Sequence, residues 1–460
     1  MPQFTSSLVG LIFLAIFASA APASSSLNIH NSTAASSVSA IFNGAALRLR
    51  SPSATTDASA ASPIPTVPFA SDNPNIVAFI PGSDGLPKPE RGSFGSNILG
   101  PQNLEIDRQN PDLLAPPTTD HGDVPSAKWP FSLSHARLQT GGWARQQNIN
   151  EMPFAKNLAG VNMRLEPGVV RELHWHMTAE WSFVIKGSTQ ISAVDQDGRN
   201  YLATVNAGDL WYIPPGIPHS LQATGDSPEG TEFLLVFDDG TFSEDATFLL
   251  TDWLAHVPKE VLAKNFQMDI SAFDRIPERE LYMIPAEVPS SAVPDPQGQV
   301  PKAFSFAMSK MNATQLSGGS VKIVDSRNFP IATSIAAAEV SVEPGAMREL
   351  HWHPTQDEWA YYIEGHARVT IFASQGNART FDYQGGDIGY VPASCGHYVE
   401  NIGNTTLHYL EIFNTDRYSD ISLSQWLALT PPELVKAHLG LSDETISQLK
   451  KTKQTVVGPS

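Results

Sequence analysis

One hexapeptide occurs twice in this chain and constrains its fold more than any other feature. Arg-Glu-Leu-His-Trp-His stands at residues 171–176 and again at 348–353. Downstream residues recur in the same order at nearly the same spacing: Glu180, Gly187, Asp209 and His219 return as Glu358, Gly365, Asp387 and His397. A repeat of this length predicts two copies of one domain, and 460 residues give each copy enough chain for its own core.

The repeated segments are predicted to be strands. Short runs rich in β-branched and aromatic residues lie at residues 189–194, 233–237, 368–372 and 409–413. Turn signals such as Asp197-Gly198 separate them. Many short strands at this spacing indicate an all-β fold of two tandem jelly-roll β-barrels. A helix-like tail follows each barrel, around Trp253 and Trp426, so we expect short flanking helices.

The chain begins with features of a secreted protein. An apolar run at residues 8–18, followed by Ala18-Ser19-Ala20, is typical of a signal peptide, although no Lys or Arg precedes the run. The predicted organisation is a signal peptide 1–20, an Ala/Ser-rich and disordered leader 21–70, an N-terminal extension 71–130, a first barrel with its tail 131–283, a linker 284–301 and a second barrel with its tail 302–450. We expect an extracellular or cell-wall-associated protein, with glycosylation acceptors at Asn31, Asn312 and Asn404.

Charge and cysteine content exclude several function classes. The chain has 29 Lys and Arg against 47 Asp and Glu, a net charge of −18 at pH 7, which argues against partners such as nucleic acid or an anionic membrane. A small anionic substrate would need a local positive centre to capture it. Cys395 is the single cysteine, so no intrachain disulfide forms, and we interpret it as a small packed residue.

Three histidines and one glutamate recur as a set that suits a metal ion. Residues two apart on a strand share a face, so His174 and His176 project together, while Glu180 follows a short turn and His219 comes from a distant strand. The second copy supplies His351, His353, Glu358 and His397. Three imidazoles and one carboxylate suit a divalent first-row metal, and four ligands leave positions open for a substrate on a six-coordinate ion.

The spacing of these residues resembles the two cupin motifs. The first motif is Gly168-(x5)-His174-x-His176-(x3)-Glu180-(x6)-Gly187, and the second is Gly208-(x5)-Pro214-x-Gly216-(x2)-His219. The other copy follows the same pattern with one extra residue before Glu358. It departs at Ser394, where the pattern has Gly, and the first copy departs at Ala223, where the pattern has Asn.

Over residues 75–445 the chain resembles the bicupin oxalate decarboxylases. Besides the repeated hexapeptide, the resemblance rests on the run from Asp238 to Phe248, which in that family is a mobile lid over the N-terminal manganese site. The family's general acid corresponds to Glu244. The familiar bacterial lid reads Ser-Glu-Asn-Ser, whereas this chain has Ser-Glu-Asp-Ala at residues 243–246. The segment before the helix-like tail is also longer in the first copy than in the second, where Asp420 is the nearest acidic counterpart of Glu244.

The resemblance implies an activity, cofactors and roles for further residues. It implies a carboxy-lyase (EC class lyase) that converts oxalate to formate and CO2, with two Mn²⁺ ions per chain and dioxygen used without net consumption. Arg171 and Arg348 would bind a substrate carboxylate, although strand parity alone does not place them on the side of the histidines. Glu411 would be the acid/base candidate of the second site. A homo-oligomer, a hexamer or trimer, is expected from the family.

Two other functions share these sequence features. An oxalate oxidase would use the same ligands and release CO2 and hydrogen peroxide, but retention of Glu244 favours decarboxylation. A non-enzymatic bicupin storage protein would share the fold and the repeat, but two intact ligand sets argue against it. Trp175 and Trp352 are predicted to face away from the metals, where they pack against another surface or transfer electrons between sites.

Overall fold

The computed structural model describes residues 85–91, 94–117, 119–289 and 295–459. The predicted signal peptide 1–20, the predicted leader 21–70 and the acceptor Asn31 lie outside the described residues, as do residues 71–84 of the extension and 290–294 of the linker. In the part of the chain that is described, no helix is both long enough and apolar enough to cross a membrane.

Strands dominate the first half of the described chain. They are β1 (Glu90–Arg91), β2 (Phe94–Gly95), β3 (Lys128–Pro130), β4 (Ala136–Gln139), β5 (Gly142–Gln147), β6 (Ala159–Leu165), β7 (Val170–Trp175), β8 (Glu180–Lys186), β9 (Ser188–Val194), β10 (Asn200–Asn206), β11 (Leu210–Ile213), β12 (His219–Ala223), β13 (Thr231–Phe237), β14 (Phe248–Leu249) and β15 (Met283–Ile284). The helices are α1 (Leu104–Gln109), α2 (Leu250–Ala255) and α3 (Lys259–Phe266), with 3₁₀ turns at Pro111–Leu113, Phe131–Leu133, Glu244–Ala246 and Ile270–Phe273.

The second half repeats this order. Its strands are β16 (Ser305–Phe306), β17 (Thr314–Leu316), β18 (Gly319–Val324), β19 (Ala336–Val342), β20 (Met347–Trp352), β21 (Glu358–Glu364), β22 (His366–Phe372), β23 (Ala378–Gln384), β24 (Asp387–Val391), β25 (Gly396–Asn401), β26 (Leu407–Phe413), β27 (Ile421–Ser422) and β28 (Val456–Val457). The helices are α4 (Leu423–Leu429), α5 (Pro432–Leu439) and α6 (Asp443–Ser447), with a 3₁₀ turn at Met308–Lys310.

Each half is a barrel made of two antiparallel sheets. In the first barrel the six-stranded sheet has the order β10-β9-β12-β7-β14, with β15 also paired to β7, and the seven-stranded sheet has the order β16-β11-β8-β13-β6-β5-β4. In the second barrel the corresponding orders are β23-β22-β25-β20-β27, with β28 paired to β20, and β17-β18-β19-β26-β21-β24-β3. The predicted all-β architecture of two tandem jelly-roll barrels with short flanking helices is confirmed.

The two barrels exchange edge strands. Strand β3 precedes the first barrel in the chain but pairs with β24 of the second, and β16 precedes the second barrel but pairs with β11 of the first. Each exchanged strand covers a sheet edge that would otherwise expose unpaired backbone groups. Strand β3 lies in the predicted extension 71–130, β16 lies in the segment predicted as the second barrel, 302–450, and β28 lies after residue 450.

The seven-stranded sheets are buried on both faces because the barrels pack against each other through them. On β13, Phe233, Leu235 and Phe237 belong to the interior of the first barrel, whereas Leu234 and Val236 belong to the core shared with the second barrel. Strands buried on both faces carry continuous apolar runs, as β13 does. The six-stranded sheets therefore carry the histidine strands β7 and β20 on the side away from the shared core.

Candidate metal centres

A β-bulge places the arginine and the histidines of each hexapeptide on one side of their strand. His219 pairs with His174, but Leu221 pairs with Arg171, so β7 advances three residues while β12 advances two. The same irregularity separates Arg348 from His351 on β20. An inserted residue reverses the alternation of side chains. Arg171 is therefore buried beside the histidines, 1% exposed, which strand parity could not predict.

Four buried ligand groups converge in each barrel. The first centre consists of His174, His176, Glu180 and His219, and the second centre consists of His351, His353, Glu358 and His397; within each, the candidate ligand atoms lie within 4.8 Å of one another. In the first centre Glu180 Oε2 is 3.2 Å from His176 Nε2 and 3.4 Å from His219 Nε2. The structure thus brings together both predicted ligand sets in full.

The Nδ1 atoms of all six histidines face carbonyl oxygens, which can only accept a hydrogen bond. His174 Nδ1 lies 2.6 Å from the carbonyl of Glu172, and His219 Nδ1 lies 2.8 Å from that of Ile217. The other four pairs span 2.7 to 3.0 Å. Each Nδ1 must therefore carry the proton, which leaves the Nε2 lone pairs directed at the centre, the arrangement that metal-binding histidines show.

The electrostatics of these centres fit a cation. Burial, and secondarily the Arg171 guanidinium, holds the pKa of His174 well below its usual range. Burial alone would raise the pKa of Glu180, but His219 and His176 outweigh it and keep this pKa well below its usual range. His219 Nε2 and His351 Nε2 have no hydrogen-bond partner among the described residues. Each centre thus brings neutral imidazoles and a carboxylate into one buried space in which no group of the described residues donates a hydrogen bond to the Nε2 lone pairs. A divalent metal ion would accept those lone pairs.

Glu244 reaches the first centre from the 3₁₀ turn in the lid, residues 238–248. Its Oε2 accepts hydrogen bonds from Arg171 Nη2 at 3.0 Å and from the phenol of Tyr282 at 2.8 Å. The side chain is 8% exposed, so Glu244 is an inward-facing group and not a solvated loop residue. Burial, together with the charge of Glu244, raises the pKa of Tyr282 well above its usual value, so the phenol stays protonated and donates.

Gln146 and Asn148, at the end of β5 and just after it, form hydrogen bonds with the lid. Gln146, on β5, accepts a hydrogen bond from the backbone N–H of Glu244 at 2.9 Å and donates to the Ser243 hydroxyl at 3.3 Å. Asn148 donates to the carbonyl of Phe242 at 2.9 Å. A cavity of about 440 Å³ is lined in part by Glu244, Asp245 and Tyr282. Glu244 therefore both pairs with Arg171 and forms part of the wall of this cavity.

The arginine of the second half is enclosed differently. Arg348 Nη2 donates to Asp420 Oδ2 and to the Tyr418 hydroxyl, both at 2.7 Å. Lys453 Nζ donates to the other oxygen of Asp420 at 2.5 Å. Asp420 therefore takes, beside Arg348, the position that Glu244 takes beside Arg171, but a second cation fixes it.

Glu411 lies inside the second barrel. It is fully buried, accepts a hydrogen bond from the Tyr409 hydroxyl at 2.9 Å and lies 3.5 Å from Arg348 Nε. Burial, with the repulsion of Glu358, raises the pKa of Glu411 to about 7. Because Phe413 pairs with Glu358 as Phe237 pairs with Glu180, Leu235 stands at the position of Glu411 in the first barrel. The first barrel thus has Leu235 where the second has the buried carboxylate of Glu411 on β26, and the carboxylate beside Arg171 comes instead from Glu244 in the lid.

Two residues of the first site went unnoticed in the sequence. Glu172, in the repeated hexapeptide, is 1% exposed and accepts hydrogen bonds from the backbone N–H groups of Thr251, Leu281 and Tyr282. Because Glu172 recurs as Glu349 in the second hexapeptide, the repeat itself could have indicated a buried structural role for this residue. Tyr282 has a left-handed φ of 62°, and Thr455, which faces Arg348 in the same way, has a φ of 54°. No local pattern indicated either conformation.

The remaining predicted residues lie outside the ligand sets. Trp175 stacks on Phe248 and meets Trp253 of α2 edge-on, both with ring centroids 5.5 Å apart. Trp352 meets Trp426 of α4 edge-on at 5.6 Å, so both indoles pack against the helical tails. Cys395 is partly buried, and its carbonyl accepts the Nδ1–H of His397. Its thiol is not needed to complete the second centre.

Comparisons with known proteins agree with this architecture. The cupin family model matches residues 134–272 and 306–447. The chain is 52% identical over 376 residues to oxalate decarboxylase OxdC of Bacillus subtilis, a match that covers 81% of this chain and 97% of that protein. It is 43% identical over 383 residues to a probable oxalate decarboxylase of Arthroderma benhamiae, covering 82% and 94%.

Solved structures give the same result. The chain superposes on a B. subtilis oxalate decarboxylase structure described for its Mn(II) centres with a TM-score of 0.79 and 51% identity, covering 82% of this chain and all of that one. The structure of that enzyme at pH 4.6 matches with a TM-score of 0.78 and 52% identity, covering 82% and 98%. Two cupin barrels, two complete ligand sets and this degree of identity together place the chain in the cupin family, among the bicupin oxalate decarboxylases.

Proposed function

We propose that this protein is a carboxy-lyase that converts oxalate to formate and CO2, with Mn²⁺ at both centres and dioxygen as a cofactor that is not consumed. The observation that carries the proposal is the pairing of Arg171 with Glu244 beside the first centre. It supplies a cation for a substrate carboxylate and a carboxyl group for proton transfer within one buried space. The names of the relatives support oxalate as the substrate and manganese as the metal.

Each manganese ion would be held by one ligand set, three Nε2 atoms and one carboxylate oxygen. Bound manganese supplies Lewis-acid binding of a carboxylate oxygen and one-electron redox chemistry with dioxygen. The indole of Trp211 donates to Glu180 Oε1 at 2.7 Å, so Oε2 is the oxygen that would be free to bind a metal ion. Gly389 stands at the position of Trp211 in the second barrel, so this support is specific to the first centre.

Arg171 positions the substrate and Glu244 moves its proton. Arg171 Nε is buried and has no hydrogen-bond partner in the described part of the chain, so it is available to a substrate carboxylate. Oxalate monoanion yields formate and CO2, so its carbon–carbon bond breaks and its acidic proton ends on carbon. Glu244 takes up that proton at a carboxylate oxygen and returns it to the carbon that has lost CO2. The closed lid keeps bulk water away from this step.

The decisive experiment measures all products at once. Purified, manganese-loaded protein is incubated with oxalate, and formate, CO2 and hydrogen peroxide are quantified together. We expect formate and CO2 in equal amounts. Glu244→Gln should lose formate production by about 100-fold or more, the usual scale for a lost general acid, while manganese content is unchanged. Glu260→Gln, on the exposed face of α3, is the matched control. Undiminished formate from Glu244→Gln would refute the role of Glu244.

Metal stoichiometry tests the ligand roles independently of turnover. We expect two manganese ions per chain in the purified protein and one in either His176→Ala or His353→Ala. The formate rate should collapse in His176→Ala. It should persist in His353→Ala if the second centre, with Arg348 and Glu411, is auxiliary. Both centres empty in the native protein would support the storage alternative.

Oxalate oxidation is the second candidate, and one observation favours it. The lid carries Asp245 and Ala246 where the familiar bacterial lid has Asn and Ser, so its contacts over the first centre differ from those of the bacterial lid. Hydrogen peroxide in amounts comparable to CO2, with little formate, would establish the oxidase.

Secretion, glycosylation and assembly complete the proposal. Asn312 and Asn404 are exposed, as acceptor sites must be, and enzymatic deglycosylation of the secreted protein should lower its mass. N-terminal sequencing of the mature protein should begin at or after Ala21. Light scattering should give the mass of a trimer or hexamer. Exposed apolar side chains near the tails, including Trp253 and Trp426, are consistent with a subunit interface.

A further inference from the structure

Arg137, on β4 at the edge of the first barrel, contacts three groups around the lid. Its Nη1 lies 3.4 Å from Asp245 Oδ1, and its Nη2 forms an ion pair with Glu280. Its guanidinium carbon lies 3.6 Å from the centroid of the Tyr282 ring. The Arg137 side chain is one quarter exposed, so this residue lies on the solvent side of the lid.

We propose that Arg137 is a positioning residue that latches the closed lid through Asp245 and holds Tyr282 against Glu244. The latch acts on the reaction through Glu244, so this inference rests on the proposed function. Arg137 itself does not contact the first centre.

The lid turn presents two consecutive acids to two arginines. Glu244 faces inward and pairs with Arg171, while Asp245, with its side chain 81% exposed, faces outward and pairs with Arg137. The ring of Tyr282 lies 4.0 Å from the Arg171 guanidinium carbon and 3.6 Å from that of Arg137. Contacts of a cation with an aromatic face are attractive. Arg137 therefore contacts both the lid turn, through Asp245, and the Tyr282 ring, whose hydroxyl donates to Glu244.

The second barrel lacks these partners. Arg137 pairs with Ala144 on β5, and the corresponding pair in the second barrel is Thr314 with Val321. Tyr282 corresponds in the same way to Thr455, because Met283 pairs with Arg171 as Val456 pairs with Arg348. Threonine thus replaces both the latch cation and the phenol in the half without the longer lid. The latch accompanies the lid and is not a general feature of the barrel.

The charge at position 245 is what makes the contact ionic. The familiar bacterial lid has Asn there, which could accept a hydrogen bond from Arg137 but would carry no charge. Asp245 is exposed and Glu280 competes for the same guanidinium, so the latch is a weak surface ion pair. Such pairs change an equilibrium by about two- to fivefold, which suffices to bias a lid that must open in every turnover.

Hydrogen–deuterium exchange of the manganese-loaded protein tests the latch directly. The readout is exchange in peptides that cover residues 239–249, for the native chain, Arg137→Gln, Asp245→Asn and the double variant. We expect each single variant to raise lid exchange about two- to fivefold and the double variant to add nothing further, because the two changes remove one interaction. Raising the salt concentration should increase lid exchange in the native chain and not in the variants.

Asp252→Asn is the matched control, since Asp252 is an exposed acid on α2 that lies 3.5 Å from His256. It should leave lid exchange unchanged. The kinetic readout is the formate rate, which Asp245→Asn should lower because a lid that opens more often holds Glu244 beside Arg171 for less of the time. Native lid exchange in Asp245→Asn, or additive effects in the double variant, would overturn the latch. Glu244→Gln reports separately on the proposed function, because its loss of formate does not depend on how the lid is held.

Discussion

The Tyr282 hydroxyl donates a hydrogen bond to the Glu244 carboxylate at 2.8 Å. Both side chains are buried, and the phenol cannot ionise near neutral pH because burial and the adjacent carboxylate raise its pKa. Tyr282 holds this position in a left-handed backbone conformation, with a φ of 62°, which a bulky residue adopts at a cost in conformational energy. Thr455 adopts the same conformation in the second barrel, and the carbonyl of each residue accepts a hydrogen bond from the arginine of its own barrel. The hydrogen bond from a phenol to the proposed proton carrier is what distinguishes Tyr282.

Replacement of Tyr282 by Phe removes this hydrogen bond without changing the size of the ring. Hydrogen bonds to charged groups contribute about 1.5–3 kcal/mol, so we expect the formate rate to fall by at least about tenfold while manganese content stays at two ions per chain. Tyr201→Phe is the control, because the Tyr201 hydroxyl bonds Ser305 at 2.6 Å, away from the centre. An unchanged formate rate in Tyr282→Phe would show that Arg171 alone positions Glu244.

Asp420 should stabilise the protein down to strongly acidic pH. Burial opposes its ionisation, but Arg348 and Lys453 outweigh burial and lower the pKa of Asp420 to about 2. A carboxyl group whose pKa is depressed in the folded state adds stability that is complete above its ordinary pKa of 3.8 and is lost as the pH falls through 2. We expect Asp420→Asn to cost about 2 kcal/mol at pH 5 and progressively less below pH 4, measured by urea unfolding. If Asp420→Asn lowered the free energy of unfolding by the same amount at pH 5 and at pH 3, the lowered pKa of Asp420 would be contradicted.

Asp112, in the 3₁₀ turn Pro111–Leu113, should have the opposite effect. Burial raises its pKa to about 6, although Arg379 and Lys128 offset part of the rise. A folded-state pKa above the unfolded value means that the native state binds more protons between pH 4 and pH 6, so stability falls as the pH rises through this window. We expect Asp112→Asn to be more stable than the native chain at pH 7.5, by up to about 3 kcal/mol, and no more stable at pH 4. Thermal unfolding at the two pH values measures the difference.

Local patterns in the sequence were sufficient to predict the barrels and the metal ligands. The ligand positions follow from short spacings, such as His174-x-His176, whose consequences depend on strand periodicity alone. The strand runs follow from the same alternation. The ligand spacing and the strand alternation can both be read from a single sequence, because each involves only a few neighbouring residues.

The features that could not be predicted from the sequence depend on irregular backbone or on contacts between residues far apart in the chain. Arg171 faces the first centre because of a β-bulge, and the inserted residue leaves no mark in the residue pattern. Strands β3 and β16 are too short to stand out in Pro-rich segments, so their exchange between barrels was not predictable. Glu411 shares the inward face of β26 with Tyr409 and Phe413. Its burial is tolerated because Arg348 and Tyr409 compensate it, and those contacts exist only in the folded barrel.

Glu172, on strand β7, is expected to hold helix α2 and the segment around Tyr282 to that strand. Its carboxylate is buried and accepts the N–H groups of Thr251 and Tyr282, both at 2.7 Å, with the N–H of Leu281 at 3.1 Å. Glu172→Leu leaves these buried donors unsatisfied, and each lost partner costs about 1–3 kcal/mol. We expect the thermal midpoint to fall by several degrees and the formate rate to fall as Tyr282 moves.

Glu349→Leu is the pseudo-symmetric control, because Glu349 binds Ser422 and Thr455 in the second barrel. It should lower the thermal midpoint while formate production is retained, since its loss loosens the half that lacks the lid. Equal losses of formate in both variants would mean that the two carboxylates act on overall stability alone.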